Sequence, residues 1–216
     1  MTETTTLPAR VGAVDPASLE DDATPLVRLI GRALRASVRD DHVPDAFDLL
    51  SGTVAVRSHD TPQTATIRFD RGTAAVSSGV LGQPDATLVV DLHARFAPTE
   101  EPSGDAALAS AALTVLQPPP PPWREAAAQF WETARVVKGI PDVLVVQAHG
   151  PDGPQHGRFG EGTTTYGIAG PADLLAGVFS GADDFLVALA AGLQVRGTLS
   201  QLSVMTAASW KVRFDV

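Results

Sequence analysis

Five consecutive prolines, residues 118–122, set the firmest limit on what this chain can fold into. Proline has no amide hydrogen to donate and a fixed φ, so the run can join neither a helix interior nor the middle of a sheet. It reads as a stiff polyproline spacer crossing the surface, with docking to an aromatic-groove domain as the weaker use of the same segment. Every regular element must lie wholly before it or wholly after it. No internal repeat and no change of composition is visible across it. The organisation read from the sequence is a disordered lead-in over residues 1–22 and a single domain over 23–216, with an insertion at 97–165.

Before the prolines, Thr24 and Pro25 open a helix as N-cap and first-turn residue, and Leu26, Leu29, Ile30, Ala33, Leu34 and Val38 recur on one face. Arg28, Arg32, Arg35 and Arg39 share the other face, read here as solvated, with a phosphate-binding stripe as the sharper alternative. Four strands are expected at 53–58, 64–70, 73–78 and 86–92. In the second, Ala65, Ile67 and Phe69 alternate with Thr66, Arg68 and Asp70, so one face is buried. Asp70-Arg71-Gly72 predicts a hairpin, and the four strands an antiparallel meander. A helix of small residues follows at 105–116.

After the prolines, Trp123, Phe130 and Trp131 lie on one stripe of a helix over 123–138, a core or interface face. Strands are expected at 142–148 and 159–168, joined by a Gly-Pro-Asp loop. Helices at 172–179 and 185–191, a strand at 193–197 and a helix at 199–208 complete the chain, with 210–216 as a last strand or tail. The helices spanning 172–191 are apolar nearly all round, whereas a surface helix buries one stripe. Deep core, a ligand cavity and a dimer interface all satisfy that pattern.

Composition narrows the function classes. The 216 residues are 44% apolar but only 6% aromatic, so the core is built from Ala, Val and Leu. A net charge of −9 repels phosphate backbones and anionic lipid surfaces, which disfavours nucleic acid as a partner. There is no cysteine, hence no disulfide and no thiolate chemistry, in keeping with a reducing compartment. No secretory signal or membrane-spanning run is read, so stable membrane insertion is not expected and the location is taken as cytoplasmic.

No catalytic constellation is apparent, and the chain is read as a non-enzyme with no cofactor and no metal. His149, Asp152 and His156 are close in sequence but sit in turn-forming residues that would not fix ligand geometry. Asp40-Asp41-His42 reads as a solvated helix end. Gly157-Arg158-Phe159-Gly160-Glu161-Gly162 lacks the Lys-Ser/Thr of a phosphate loop. Asp183-Asp184 precedes an apolar helix and is read as its cap.

Two blocks carry a family resemblance. The segment from Ile67 to Val76, followed by Gly79 and Pro84-Asp85-Ala86-Thr87-Leu88-Val89-Val90, resembles the central strands of the sterol carrier protein type 2 family. Ala172-Asp173-Leu174-Leu175, Phe179-Ser180-Gly181 and Leu193-Gln194-Val195-Arg196-Gly197-Thr198-Leu199-Ser200 are similar to that family's ending. The resemblance covers about half of the chain, and the stretch 97–165 departs from it. It implies an α+β fold, with a mostly antiparallel five-stranded sheet and helices on one face. An apolar tunnel would hold a fatty acyl chain or sterol-like lipid. Ile67 and Phe69 would form one wall, Val178, Phe179, Phe185 and Leu189 the other, and Leu202, Met205 and Trp210 a closing helix. The alternative is a protein–protein interaction module, including a homodimer, that has lost ligand binding. Arginine greatly outnumbers lysine (Lys138 and Lys211 alone), a GC-rich coding bias of actinobacterial kind.

Overall fold

Each side of the proline run builds its own sheet, and both sheets are laid down by the same route. The computed structural model describes residues 15–39, 42, 44–151 and 153–215. The first part comprises β1 (Ala17–Leu19), α1 (Pro25–Arg39), α2 (Pro44–Leu49), β2 (Ser51–Ser58), β3 (Thr64–Asp70), β4 (Thr73–Ser78), β5 (Ala86–Asp91), β6 (Ala97–Pro98), β7 (Ser103–Gly104) and α3 (Ala106–Leu116). The second comprises α4 (Trp123–Ala134), β8 (Val143–Gly150), β9 (Gly153–Phe159), β10 (Thr165–Pro171), α5 (Ala172–Ser180), α6 (Phe185–Ala190), β11 (Gln194–Arg196) and α7 (Leu199–Phe214).

The first sheet runs β1-β4-β3-β2-β5-β6, with β7 also on β5, and the second runs β11-β10-β8-β9. In each, an antiparallel hairpin comes first, β2–β3 or β8–β9. A later strand then pairs in parallel with the hairpin's opening strand, β5 on β2 or β10 on β8. That strand carries a short antiparallel edge, β6 or β11. A repeat absent from the residue pattern is therefore present in the topology. The α+β class holds, but the single, mostly antiparallel five-stranded sheet does not: there are two mixed sheets, of seven and four strands. The expected meander fails at β5, which crosses over β2's far side and pairs Val54 with Ala86 in parallel.

Local signals were reliable where turns and caps decide. Arg71 and Gly72 take φ of 40° and 86°, the double left-handed turn that matches strand twist in a two-residue hairpin. The register that follows buries Ala65, Ile67 and Phe69 and exposes Arg68 and Asp70. Phe69 meets Phe47 edge-on, ring centroids 6.3 Å apart. Asp105 and Asp184 each accept two backbone N–H bonds as N-caps of α3 and α6, so Asp184 is a cap as read.

Four assignments change, the first being the strand expected at 159–168, which is β10 at Thr165–Pro171 and pairs parallel to β8. Residues 17–19, placed in the lead-in, add a strand parallel to β4, while residues 1–14 lie outside the described residues. The expected loop after residue 150 is the strand β9, which bonds only to β8; an edge strand tolerates the Gly, Pro and His that disguise it. The tail at 210–216 instead extends α7 to Phe214, after a capping box in which Thr198 and Gln201 bond reciprocally.

Two apolar cores result. Leu26, Ile30, Val54, Ile67, Leu88 and Val115 belong to the first, and Phe130, Trp131, Leu144, Tyr166, Leu175 and Phe179 to the second. The stretch read as an insertion is divided between them, with β6, β7 and α3 in the first half and α4, β8 and β9 in the second. The Trp–Phe stripe of α4 is core. On α6, Phe185 and Ala188 are buried, but Leu186 and Val187 stay about half exposed. The halves meet where α1 packs against α7.

Candidate functional site

The residues expected to line one apolar tunnel are distributed over both cores. Ile67 and Phe69 are buried in the first, against α1 and α2. Val178, Phe179, Phe185 and Met205 are buried in the second, with Leu189 and Leu202 partly buried against it. Trp210 is 45% exposed. The two expected walls never face one another, because each sheet is covered by helices from its own half. Of these nine residues only Phe179 reaches either of the two cavities described below.

One cavity, of about 230 Å³, lies between the halves. Its apolar surface comes from Phe96, Leu116, Phe130, Phe179 and Val212, and Pro118 to Pro121 form one side. The proline run is thus a surface connection, as read, and also a wall. The cationic surface comes from Arg32, Arg35 and Arg39 on α1, Arg95 before β6, and Lys211 on α7. Three members of the α1 stripe read as solvated therefore face a cleft. A second, more open cavity of about 470 Å³ sits on the outer face of the first sheet, over Thr53, Thr66, Arg68 and Ser77.

Two of the cleft arginines each bond two carboxylates. The Arg35 guanidinium donates to both oxygens of Asp15 (3.0 and 2.9 Å) and to Asp215 (3.0 Å), joining the start of the described chain to its end. Those bonds hold the Asp15 carboxyl below its usual value. Arg95 donates from Nε to Asp183 (2.8 Å) and from Nη2 to Asp183 (2.5 Å) and Asp173 (3.1 Å). Its guanidinium is held above the ordinary arginine value by the bonds to Asp183, outweighing burial. So Asp183, read as part of a helix cap, is the second half's anchor for a first-half arginine. Arg95 and Phe96 have φ of 52° and 60°, two successive non-glycine residues in the left-handed region, at about 1–3 kcal/mol each. The surrounding ion pairs offset that strain.

Arg213 is the third inter-half arginine, 3% exposed. It donates to the carbonyls of Gly181 (3.0 Å) and Ala182 (2.7 Å) in its own half and Leu92 (2.8 Å) in the other. With Arg32, whose Nη1 donates to the Ser180 carbonyl (3.2 Å), it covers the negative end of the α5 dipole. Gly181 is required there: its φ is 76°, and a Cβ would lie 2.8 Å from the Arg213 Cα.

Arg32 differs from its neighbours. It forms no ion pair among the described residues, and its Nε is buried with no acceptor. Burial, and then the charge of Arg213, push it down to about 9, which leaves it cationic at neutral pH. Chemically the cleft can hold a negative group beside apolar carbon.

Among the described residues no group of three or more His, Asp or Glu converges to hold a metal; Asp152, Asp40 and Asp41 of the sequence candidates lie outside them. No helix of the described residues is long and apolar enough to cross a membrane. Sequence reasoning weighed the α1 stripe but could not select Arg32, since nothing local shows that Ser180 and Phe179 come to rest against it.

No protein-family model matches the chain, and no curated protein does. Among solved structures, a chain described as "UbiJ-SCP2 Ubiquinone synthesis protein" is similar over 44% of this chain and 91% of its own length, with 15% identity and a TM-score of 0.34. A likeness of that extent decides neither family nor function.

Proposed function

We propose that this protein binds a small amphiphilic molecule in the cleft between its halves and carries it without transforming it. The observation that supports this reading is the make-up of the 230 Å³ cavity, where phenylalanine, leucine and valine surfaces adjoin arginine and lysine. Ligand pockets for drug-sized molecules begin at roughly 300 Å³. The cleft is therefore suited to a short acyl chain, or to one end of a longer lipid, rather than to a whole sterol. Burying about six methylenes at ~0.8 kcal/mol each would offer about 5 kcal/mol before association costs.

Native mass spectrometry of the purified protein tests the reading, since a carried ligand would appear as added mass lost on denaturation. A thermal-shift panel of C6–C16 fatty acids, alcohols and sterols is the companion assay. Ligand at a hundredfold excess over Kd stabilises by about 2.7 kcal/mol, or roughly 5–10 °C in Tm for a chain of this size. No added mass and no shift across the panel would remove the proposal.

A second reading, an interaction module that associates with itself, draws on the exposed Leu186 and Val187 of α6 and Leu199 at the start of α7. Light scattering on the wild type and on Val187→Glu separates the two. A dimer that the substitution dissolves favours the interaction module, and a monomer in both leaves the cleft.

A further inference from the structure

We infer that the cleft recognises an anion, a carboxylate or phosphate ester, and that Arg32 is the residue that receives it. This rests on the reading of the cleft as a ligand site and adds the charge and the anchor of what enters it. The cations around the cavity divide into two kinds. Arg35 and Arg95 are neutralised, each holding two carboxylates from distant parts of the chain, and their work is to join the halves. Arg32 has no carboxylate partner among the described residues. A guanidinium has five N–H donors in a fixed fork, and one of Arg32's is used, by the Ser180 carbonyl. Its Nε–H is buried without an acceptor. Most of the Arg32 fork is therefore uncommitted within the described chain, whereas buried donors are almost always paired.

The setting reinforces this. Arg32 lines the cavity, with Lys211 facing it from the other half and making no ion pair among the described residues. With Arg35 and Arg95 neutralised by their carboxylates, Arg32, Arg39 and Lys211 remain as lining cations without an ion pair among the described residues, in a chain of net charge −9. Such a concentration draws anions in against the repulsion of the remaining surface. A carboxylate or phosphate oxygen at Arg32 would accept from the Nη N–H groups not given to Ser180, while Phe130, Phe179 and Val212 stand in the same lining to cover carbon attached to that group.

The test is calorimetric titration of the full chain with C8 probes below their micelle concentrations: octanoate, octyl phosphate, octanol and octyltrimethylammonium, with inorganic phosphate alongside. The expectation is that octyl phosphate and octanoate bind at least tenfold tighter than octanol, with no binding of the ammonium. Arg32→Gln should remove that tenfold advantage and leave octanol affinity unchanged. Arg32→Lys, which keeps the charge but not the fork, should keep part of it. Lys211→Gln, on the α7 side of the cleft, should cost about threefold for the anions and serves if Arg32→Gln does not fold. Octanol binding as tightly as octyl phosphate overturns the anion inference while the amphiphile reading stands. Inorganic phosphate binding as tightly as octyl phosphate keeps the anion site and overturns the amphiphile reading. Undiminished anion binding by both Arg32→Gln and Lys211→Gln assigns the anion elsewhere and overturns the inference, and no binding of any probe overturns both.

Discussion

Replacing Arg213 with leucine should destabilise the protein by about 3 kcal/mol and uncouple its two halves. The side chain is 3% exposed and gives three bonds to main-chain carbonyls, none to a carboxylate. A net gain of roughly 1.5–3 kcal/mol per bond from a charged donor would sum to about 5–9 kcal/mol. Burying the guanidinium takes back several kcal/mol, and burial already lowers its proton affinity. After substitution the Gly181 carbonyl, the buried one of the three, is left without its partner, at ~1–3 kcal/mol. The carbonyls of Ala182 and Leu92 are nearer to water and lose less. A balance of about 3 kcal/mol corresponds to a fall of roughly 1–2 M in the urea midpoint.

The distinctive readout comes from the tryptophans. Trp123, Trp131 and Trp210 all lie after the proline run, so their fluorescence reports the second half alone, whereas far-ultraviolet circular dichroism reports both. Of the three Arg213 bonds, the one to Leu92 crosses between halves, alongside the inter-half bonds of Arg32, Arg35 and Arg95. In the wild type the two signals should change together; in Arg213→Leu they should separate. A midpoint unchanged within about 0.5 kcal/mol, with the signals still coincident, would refute the view that this residue fastens the halves.

Phe69→Ala should cost about 3–5 kcal/mol by emptying the space against Phe47, measured by urea denaturation, and Arg68→Ala on the opposite face should cost under about 0.5 kcal/mol. Gly177→Ala would place a methyl group in the Asp183 carboxylate and 2.6 Å from Arg95 Nη2, so it should lower stability by about 1–3 kcal/mol; loss of the effect on an Arg95→Ala, Asp183→Ala background would show that the clash runs through this pair. The Asp142 carboxylate accepts from the backbone N–H groups of Thr163 and Thr164, which holds its pKa below the usual range. A native carboxylate of lowered pKa contributes stability that is present above about pH 4 and lost as pH falls through the native value. Asp142→Asn should flatten the fall in urea midpoint between pH 5 and 3, and an unchanged profile would contradict the assignment.

What could be read from the residues alone is what neighbours in sequence determine. Arg71-Gly72 makes its turn because two adjacent left-handed residues suit a twisted hairpin, and the alternation from Ala65 to Phe69 then sets which face is buried. Asp184 starts a helix because its side-chain oxygen can reach an N–H two or three residues on. Those elements stand where the sequence places them. The edge strand β9 could not be seen, because a strand bonded on one side imposes little on its side chains. Nor could the parallel seating of β5 on β2, since that pairing is made across about 30 residues and leaves the pattern within each strand unchanged.

The division into two cores and the site were decided by tertiary structure for the same reason. Ile67 and Phe179 are equally apolar in sequence, and only the docking of helices onto each sheet assigns them to different interiors. The arginines of α1 recur at one helical spacing, as a solvated stripe would. Arg35 and Arg32 become different residues only when Asp15 and Asp215 arrive beside one and the carbonyl end of α5 beside the other. A side chain's chemistry is local, but its partners and its access to water are set by packing between segments remote in the chain, and those two quantities separate a structural cation from one left open to a ligand.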